Sequence, residues 1–302
     1  MRHSFHRQRS IRVRRRKLGR LIVNSTVRQP SPSDNELAAL RQQVEILARK
    51  AGAAIMEIYR GEDFGAISKA DNSPLTMADL ASHQTIVQGL HRLASQYPVL
   101  SEEAADIPYA ERSRWASFWL VDPLDGTKEF IKRNGEFTVN IALVENGVPV
   151  RGVVYAPVLD VCYSAARGSG AFVQRGNSAA QAIRAEAHAP DSAIKVVASR
   201  SHSDARTAAL LEKIGHHECI SMGSSLKLCL VAEAAAHFYP RLGPTMEWDT
   251  AAAHAVVIEA GGMVCDIATQ ALRYNKEDMH NPEFLVLANS NSALLKLLEG
   301  HA

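Results

Sequence analysis

An apolar run that ends in two closely spaced carboxylates constrains this chain more than any other stretch. Residues 118–121 read Phe-Trp-Leu-Val, and they are followed by Asp122-Pro123-Leu124-Asp125-Gly126-Thr127. A short apolar segment that is bounded by turn residues is typical of a buried strand. Burying carboxylates is costly unless a cation or hydrogen-bond donors meet them. The stretch therefore predicts a strand that delivers Asp122 and Asp125 to a site for a divalent metal ion.

The residues that follow the strand favour a rigid turn. Pro123 fixes one backbone dihedral and removes a donor, whereas Gly126 can adopt dihedrals that other residues avoid. Backbone N–H groups after Gly126 could face an anion. The alternative is a solvated Asp-Pro and Asp-Gly turn between a strand and a helix, which is a common structure. The rest of the chain is needed to decide between a metal site and such a turn.

Composition excludes several classes of protein. With 302 residues, of which 46% are hydrophobic and 22% charged, the chain suits one large or two ordinary globular domains. No apolar run reaches the length of about 18 residues that spans a bilayer. Four cysteines lie far apart without a C-x-x-C pair, which predicts reduced thiols and a cytoplasmic location. The pair His216-His217 near Cys219 is either an exposed cluster or a metal site.

Basic charge is concentrated at the N-terminus. Residues 1–33 contain nine arginines and Lys17 but no acidic residue. Subtracting these ten from the 34 basic residues leaves 24 against 32 acidic ones, a net charge of −8. Such a tail is suited to nucleic acid, to peripheral contact with an anionic inner membrane, or to targeting. The alternative is a disordered extension from an upstream start codon. The acidic body argues against a nucleic-acid polymer as the main partner.

The order of helical and strand patterns predicts a layered α/β or α+β fold, because both halves of the chain mix the two element types. A Pro- and Ser-rich segment ends the basic tail at about residue 34, and a polar, Ala-rich stretch at 176–192 is the expected seam. We therefore expect a tail (1–34), an N-terminal half (35–180) and a C-terminal half (181–302).

Acidic residues recur where apolar segments end. Glu102 follows the predicted strand 97–100, and Asp249 precedes the predicted helix 250–260. Each has a structural alternative, since Asp249 suits a helix N-cap and Glu102 a surface position. Together with Asp122 and Asp125 they form an all-oxygen set, which favours magnesium or manganese over zinc. Magnesium in proteins is commonly bound by phosphate oxygens of a substrate as well as by carboxylates. The sequence contains no P-loop, kinase signature or G-x-S-x-G motif. Hydrolysis of a phosphomonoester is the simplest prediction.

Several strings resemble signatures of the inositol monophosphatase superfamily. They are Ser101-Glu-Glu, the Asp122–Thr127 string, and Trp248-Asp-Thr-Ala-Ala252 with Gly261-Gly262. Further strings at 69–74, 122–147, 154–157, 199–202 and 223–227 resemble the bacterial 3'(2'),5'-bisphosphate nucleotidase branch. The resemblance covers about residues 37–290 and leaves the tail unexplained. It implies the sugar-phosphatase fold, with alternating helix and sheet layers (αβαβα), and a magnesium-dependent, lithium-sensitive phosphatase.

The resemblance also implies roles for single residues. Two or three Mg²⁺ ions would be bound by Glu102, Asp122, the Leu124 carbonyl, Asp125 and Asp249. Gly126 and Thr127 would offer amides to the scissile phosphate. The Thr127 hydroxyl would donate to Asp79 and, with Glu102, orient the attacking water. Asp79 also has the spacing of a capping pair with Thr76.

Substrate contacts are expected mainly in the C-terminal half. The resemblance implies that His202, Ser224, Ser225, Lys227 and Arg241, with Asp249, contact the nucleoside and its 5'-phosphate. A second phosphate needs a second cationic anchor, which suits Lys227 and Arg241. The alternative for Lys227 is a solvated side chain one turn into a helix.

The predicted reaction is hydrolysis of the 3'-phosphate of adenosine 3',5'-bisphosphate to AMP and phosphate, as in sulfur metabolism, by a monomer or a homodimer. Alternatives are an inositol monophosphatase, a fructose-1,6-bisphosphatase-like sugar phosphatase, and a non-catalytic phosphate-binding module.

Overall fold

The computed structural model describes residues 33–61, 65, 67–68, 74–94, 96–189, 192–198 and 205–289. Nearly all of the basic tail and the predicted substrate residue His202 lie outside the described residues. So do residues 292–298, where the sequence pattern predicts a final helix.

Helices and strands alternate through the described part of the chain. The helices are α1 (Asp34–Tyr59), α2 (Met77–Leu93), α3 (Tyr109–Arg112), α4 (Thr127–Ile131), α5 (Ala205–Ile214), α6 (Leu226–Ala232) and α7 (Glu247–Glu259), with a 3₁₀ turn at Glu102–Ala104. The first nine strands are β1 (Ile67–Ser68), β2 (Pro74–Leu75), β3 (Val99–Ser101), β4 (Ser117–Asp125), β5 (Thr138–Glu145), β6 (Val148–Ala156), β7 (Val161–Ala166), β8 (Gly170–Arg175) and β9 (Gln181–Ile183). The remainder are β10 (Ile194–Ala198), β11 (His217–Ser221), β12 (Phe238–Arg241), β13 (Met263–Asp266) and β14 (Phe284–Leu287). None of the helices in these described segments combines the length and apolar character that crossing a membrane requires.

Two large sheets organise the chain. Seven strands follow the order β3-β4-β5-β6-β7-β8-β9, and five follow β11-β10-β12-β14-β13. In the seven-stranded sheet β3 and β4 are parallel, and the neighbours from β4 to β9 are antiparallel. The sequence Glu145-Asn146-Gly147 is a strong signal for a hairpin turn, and the hairpin is present, because Asn146 and Gly147 join β5 to β6. A small third sheet pairs β1 with β2.

Helices cover the sheets in layers. α1 and α2 pack together on one face of the seven-stranded sheet, and α7 packs on the other. α6 and α7 also contact the five-stranded sheet, whose far side carries apolar residues of α5. The predicted fold class, with alternating helix and sheet layers, is thus confirmed. At Gly152 of β6 a Cβ atom would lie 1.9 Å from the Ala252 carbonyl of α7, so this contact between the layers requires glycine.

Side chains of β4 alternate between the two helix layers. Phe118 and Leu120 belong to the core cluster that contains α6 and α7, whereas Trp119 and Val121 belong to the cluster that contains α1 and α2. This alternation is the expected period of two in a strand buried on both faces. The even-numbered residues of β4, which include Asp122, therefore lie on the face of the sheet that packs against α6 and α7.

Several sequence-based predictions of secondary structure differ from the structure. The helix predicted from Thr250 begins at Glu247, and the N-cap is Met246 rather than Asp249. Asp249 is the third residue of α7, and its Oδ2 accepts the Met246 N–H at 2.9 Å, which is how a carboxylate at that position closes a helix N-terminus. The sequence pattern also predicts a helix over Leu226–Ala236 and a short strand at Leu272. Helix α6 ends at Ala232, and none of the described strands contains Leu272.

Candidate active site

A bulge in β4 brings the two carboxylates of the Asp122–Thr127 string to one face of the sheet. Residues three apart in a regular strand point to opposite faces. Asp122 lies opposite Asn140 and Asp125 opposite Thr138, so three steps along β4 match two steps along β5. The extra residue re-aims Asp125 toward the same layer as Asp122. The predicted turn is therefore wrong in detail, since the strand continues to Asp125 and proline sits at the irregularity, where a missing donor is tolerated.

The backbone from Leu124 to Thr127, at the end of the bulge, is held by a left-handed glycine and by local hydrogen bonds. Gly126 has φ +92°, in the left-handed region, and precedes α4, which begins at Thr127. The Leu124 N–H donates to Asp122 Oδ1 at 3.0 Å, and the Thr127 hydroxyl lies 3.4 Å from the Leu124 carbonyl oxygen. The bond from the Leu124 N–H fixes the direction of the Asp122 carboxylate, which was predicted to bind metal.

Asp79 of α2 makes both contacts that the sequence suggested. Its Oδ2 accepts the backbone N–H of Thr76 at 2.7 Å and the Thr76 hydroxyl at 2.6 Å, which forms the capping box of α2. Its Oδ1 lies 3.3 Å from the Thr127 hydroxyl, which donates to it. The capping role and the contact with Thr127 therefore coexist, one on each carboxylate oxygen.

Two further residues of α2 contact the same region, and sequence reasoning missed both. The Ser82 hydroxyl donates to the Pro123 carbonyl at 2.6 Å, and His83 Nδ1 lies 2.9 Å from the hydroxyl of Ser101. Ser101 immediately precedes Glu102. Positions 79, 82 and 83 share one face of the helix, because residues three and four apart are neighbours. Their spacing within an apolar helix is the signal that could have identified them.

Asp125 is tied to the C-terminal half through Ser225. The Ser225 N–H donates to Asp125 Oδ2 at 2.6 Å, across 100 residues of sequence. The Ser225 hydroxyl bonds to Asn140 Oδ1 and to the Thr138 hydroxyl, both at 2.8 Å. Ser225 is buried. Its polar atoms therefore link Asp125 to β5, and the substrate contact of Ser225 stays a prediction.

The carboxylates are close enough to disfavour one another's ionisation. Burial raises the pKa of Asp122 well above its usual range, and the negative charges of its neighbours add to this: Glu102, Asp125, Asp249 and Asp79. Removal from water likewise raises the pKa of Asp249, with Asp125 as the next cause. Burial also raises the pKa of Asp125, but the Lys227 ammonium and the Ser225 N–H oppose that shift. The site therefore concentrates negative charge that a cation would relieve.

The donor set fits magnesium in charge and atom type. Carboxylate oxygens with a backbone carbonyl are the ligands that this hard cation prefers. Within the residues that the structure describes, no three His, Cys, Asp or Glu side chains are already closed around one point as metal ligands. Asp125 and Asp249 each turn one oxygen to a backbone N–H, of Ser225 and Met246, which leaves the other oxygen of each for a cation.

A cleft of about 390 Å³ opens beside these carboxylates. Seven of the predicted site residues line it, namely Asp125, Gly126, Ser224, Ser225, Lys227, Arg241 and Asp249. Five others in the described part of the chain are not among its lining residues, namely Asp79, Glu102, Asp122, Leu124 and Thr127. The cleft therefore brings together residues from both halves of the sequence.

Two of the predicted substrate residues contribute cationic side chains to this cleft, and another, Ser224, has a positive φ angle. Lys227 is 9% exposed, with its Nζ 5.8 Å from the centre of the Tyr239 ring, so the alternative of a solvated side chain is wrong. Burial lowers the pKa of Lys227, and Asp125 opposes this shift. Arg241 Nη2 donates to the Pro244 carbonyl at 2.9 Å, while its Nε is buried with no hydrogen-bond partner among the described residues. Ser224 has φ +48°, which is uncommon for a residue other than glycine.

Several lining residues were not predicted as site residues, although they lie in the string 122–147 that carries part of the family resemblance. Lys128, Glu129 and Lys132 of the α4 region, together with Asn134 and Glu136, line the cleft. They follow the Asp122–Thr127 string directly, so their nearness to it in sequence could have found them.

Comparison with known proteins identifies the family of this chain. The sequence model of the inositol monophosphatase family matches residues 36–301. The chain belongs to this family. The predicted family is therefore confirmed, and phosphatases of the inositol monophosphatase family depend on magnesium.

Individual members of the inositol monophosphatase family are also similar. The chain is 53% identical over 247 residues to the 3'(2'),5'-bisphosphate nucleotidase CysQ of Shigella flexneri, covering 81% of this chain and 98% of that protein. The crystal structure of CysQ from Bacteroides thetaiotaomicron matches with a TM-score of 0.73 and 47% identity, over 83% of this chain and 98% of that one. An inositol monophosphatase of Thermotoga maritima, at 24% identity and a TM-score of 0.70, covers 86% of this chain and 96% of that one and shows the shared fold.

Proposed function

We propose that this chain is a magnesium-dependent phosphatase that removes the 3'-phosphate of adenosine 3',5'-bisphosphate, giving AMP and phosphate. The observation that carries the proposal is the cleft that is lined both by the carboxylates Asp125 and Asp249 and by the cations Lys227 and Arg241. A bisphosphate needs both kinds of group, one for the reacting phosphate and one for the phosphate that stays. The nucleotidase names of the CysQ relatives support this substrate class.

The residues that would hold two or three Mg²⁺ ions are the four carboxylates Glu102, Asp122, Asp125 and Asp249, with the Leu124 carbonyl. When bound, such ions lower the pKa of water and neutralise charge on phosphoryl oxygens. The chain's part is to direct the ligand oxygens. The Leu124 N–H directs Asp122, and the Ser225 N–H directs Asp125.

Thr127 and Asp79 would handle the proton of the attacking water. The Asp79 carboxylate accepts from the Thr127 hydroxyl at 3.3 Å, so the lone pairs of Thr127 are left free to accept a hydrogen bond from water. Glu102 is proposed to orient the same water. The backbone N–H groups of Gly126 and Thr127, after the left-handed turn, are proposed to donate to the scissile phosphate.

The two halves of the chain are proposed to divide the work. Residues 35–180 would bind the metal ions and the scissile phosphate, and residues 181–302 would recognise the rest of the substrate. Lys227, Arg241, Ser224, Ser225 and Asp249 line the shared cleft, and His202 remains a predicted contact outside the described residues. A cytoplasmic location, the monomer or homodimer, and the tail's contacts stay predictions.

Replacing Lys227 with methionine tests the second phosphate site. A charge-assisted hydrogen bond is worth roughly 1.5–3 kcal/mol, and each 1.4 kcal/mol is about tenfold. We therefore expect kcat/KM for adenosine 3',5'-bisphosphate to fall about 10- to 100-fold, while that for adenosine 3'-monophosphate changes little. Lys213→Met, which removes an exposed lysine of α5, is the matched control. An equal fall for both substrates would show that Lys227 does not bind the 5'-phosphate.

A panel of substrates tests the proposed function against its alternatives. Purified protein with magnesium is assayed for kcat/KM on adenosine 3',5'-bisphosphate, inositol 1-phosphate and fructose 1,6-bisphosphate. We expect the nucleotide to be preferred by a wide margin. Preference for inositol phosphate or the sugar bisphosphate would replace the proposal with the corresponding phosphatase. Tight binding of the nucleotide without turnover would identify a non-catalytic phosphate-binding module instead.

A further inference from the structure

A buried carboxylate holds the helix turn that carries Asp249. Glu247, the first residue of α7, has no exposed surface. It accepts the backbone N–H of Asn275 at 2.6 Å, the backbone N–H of Lys276 at 2.9 Å and the Lys276 Nζ at 2.6 Å. A carboxylate that is buried with three such donors is fixed in position, because breaking any of these contacts leaves charge unpaired away from water.

Glu247 and Asp249 act on opposite sides of the same helical turn. Residues two positions apart in an α-helix are separated by roughly 200° around the axis, since one turn takes about 3.6 residues. Asp249 lines the cleft, whereas Glu247 bonds to the segment at 275–276. The backbone of one turn therefore transmits the placement of Glu247 to Asp249.

The donors to Glu247 are themselves held in place. Asn275 has φ +67°, and its Nδ2 donates to the Arg112 carbonyl at 2.7 Å. The buried Arg112 guanidinium donates to Asn275 Oδ1 at 3.0 Å, to the Lys276 carbonyl at 2.5 Å and to the Glu277 carbonyl at 2.7 Å. A side chain from α3 thus immobilises the segment that Glu247 contacts.

Asn281 fastens the other end of this segment to the same turn of α7. Its Nδ2 lies 2.8 Å from the Met246 carbonyl, 3.1 Å from Thr245 Oγ1 and 3.0 Å from Thr250 Oγ1. The Glu247 N–H in turn donates to the Met279 carbonyl at 2.9 Å. The start of α7 is therefore bonded to both ends of the segment 275–281.

We propose that Glu247, with Lys276, is a positioning residue that fixes Asp249 as a metal ligand. This inference rests on the proposed function, in which Asp249 binds magnesium. Groups that orient metal ligands are worth about 10- to 100-fold in metal affinity or activity. The network explains why a carboxylate two residues before Asp249 is buried although it does not line the cleft.

Titration of the full-length protein with Mn²⁺ by calorimetry, in the absence of substrate, tests the proposal. We expect Glu247→Gln to weaken Mn²⁺ binding about tenfold. We expect Lys276→Met to weaken Mn²⁺ binding as well, but by a smaller factor. Glu259→Gln is the matched control, because Glu259 lies at the far end of α7 and accepts the Gly170 N–H at 3.1 Å. We expect that variant to bind Mn²⁺ as the wild type does.

The unfolding temperature of each variant separates positioning from general loss of structure. If Glu247→Gln does not fold, Lys276→Met decides, since its ammonium is partly exposed and the two backbone donors remain. Wild-type Mn²⁺ affinity in the folded Glu247→Gln and Lys276→Met variants would overturn the proposal, as would equal weakening in Glu259→Gln. Asp249→Asn in the same titration distinguishes failure of the proposed metal site from failure of the positioning role of Glu247. If it binds Mn²⁺ normally, the metal assignment itself fails, and the inference fails with it.

Discussion

Replacing Asp122 with asparagine should lower kcat/KM for adenosine 3',5'-bisphosphate by about 10³-fold or more. The carboxylate is buried and directed by the Leu124 N–H, so the change removes charge from a metal ligand with little change in shape. Charge stabilisation by a bound metal is worth several kcal/mol, and each 1.4 kcal/mol is about tenfold. Steady-state kinetics over a range of magnesium concentrations measures the loss, and excess magnesium should not restore the wild-type rate.

The thermal stability of Asp122→Asn shows whether a loss of activity comes from unfolding. Burial and four neighbouring carboxylates raise the pKa of Asp122, so its ionised form destabilises the metal-free protein at neutral pH. The asparagine variant should therefore unfold in chelator at a temperature no lower than the wild type. Asp106→Asn, which removes an exposed carboxylate, should leave activity unchanged. Near wild-type activity in Asp122→Asn would contradict the proposed site.

Replacing Thr127 with valine should lower kcat by about 10²- to 10⁴-fold, the usual contribution of a general acid or base. Valine has nearly the same shape but no hydroxyl to donate to Asp79 Oδ1 or to accept from water. Because the Thr127 side chain is not a proposed metal ligand, Mn²⁺ binding should be retained. Stopped-time assays of phosphate release and calorimetric titration measure the two quantities separately.

Serine at the same position provides the matched comparison. Thr127→Ser keeps the hydroxyl and should retain most of the activity, within about tenfold of the wild type if positioning alone is loosened. Equal losses in the valine and serine variants would show that the methyl group, and not the hydroxyl, matters at this position. Loss of Mn²⁺ binding in Thr127→Val would mean that the residue supports the metal site instead.

The sequence predicts the layered fold and the ligand types better than it predicts local geometry. The continuous apolar run from Phe118 to Val121 predicts a buried strand, and that strand is present as β4. The spacing of Asp122 and Asp125 alone would place them on opposite faces of a regular strand. Only pairing with β5 reveals the bulge that unites them, because register depends on a partner strand that lies distant in sequence.

Contacts between distant segments were the hardest to foresee. The structural alternative for Asp249 was a helix N-cap, but Met246 is the N-cap and the Asp249 carboxylate accepts the Met246 N–H. The bond from Ser225 to Asp125 and the burial of Glu247 depend on how the C-terminal half packs, which local propensity does not specify. Asp79 with Thr127 was found through family resemblance, since the two residues are 48 positions apart.

Phosphorus NMR of the reaction products tests the central claim most directly. Adenosine 3',5'-bisphosphate is incubated with the purified full-length protein and magnesium, and the two phosphate signals of the nucleotide are followed with time. Loss of the 3'-phosphate signal, with accumulation of 5'-AMP and inorganic phosphate and complete arrest by chelator, is the predicted result. Accumulation of 3'-AMP, or release that continues in chelator, would contradict the account.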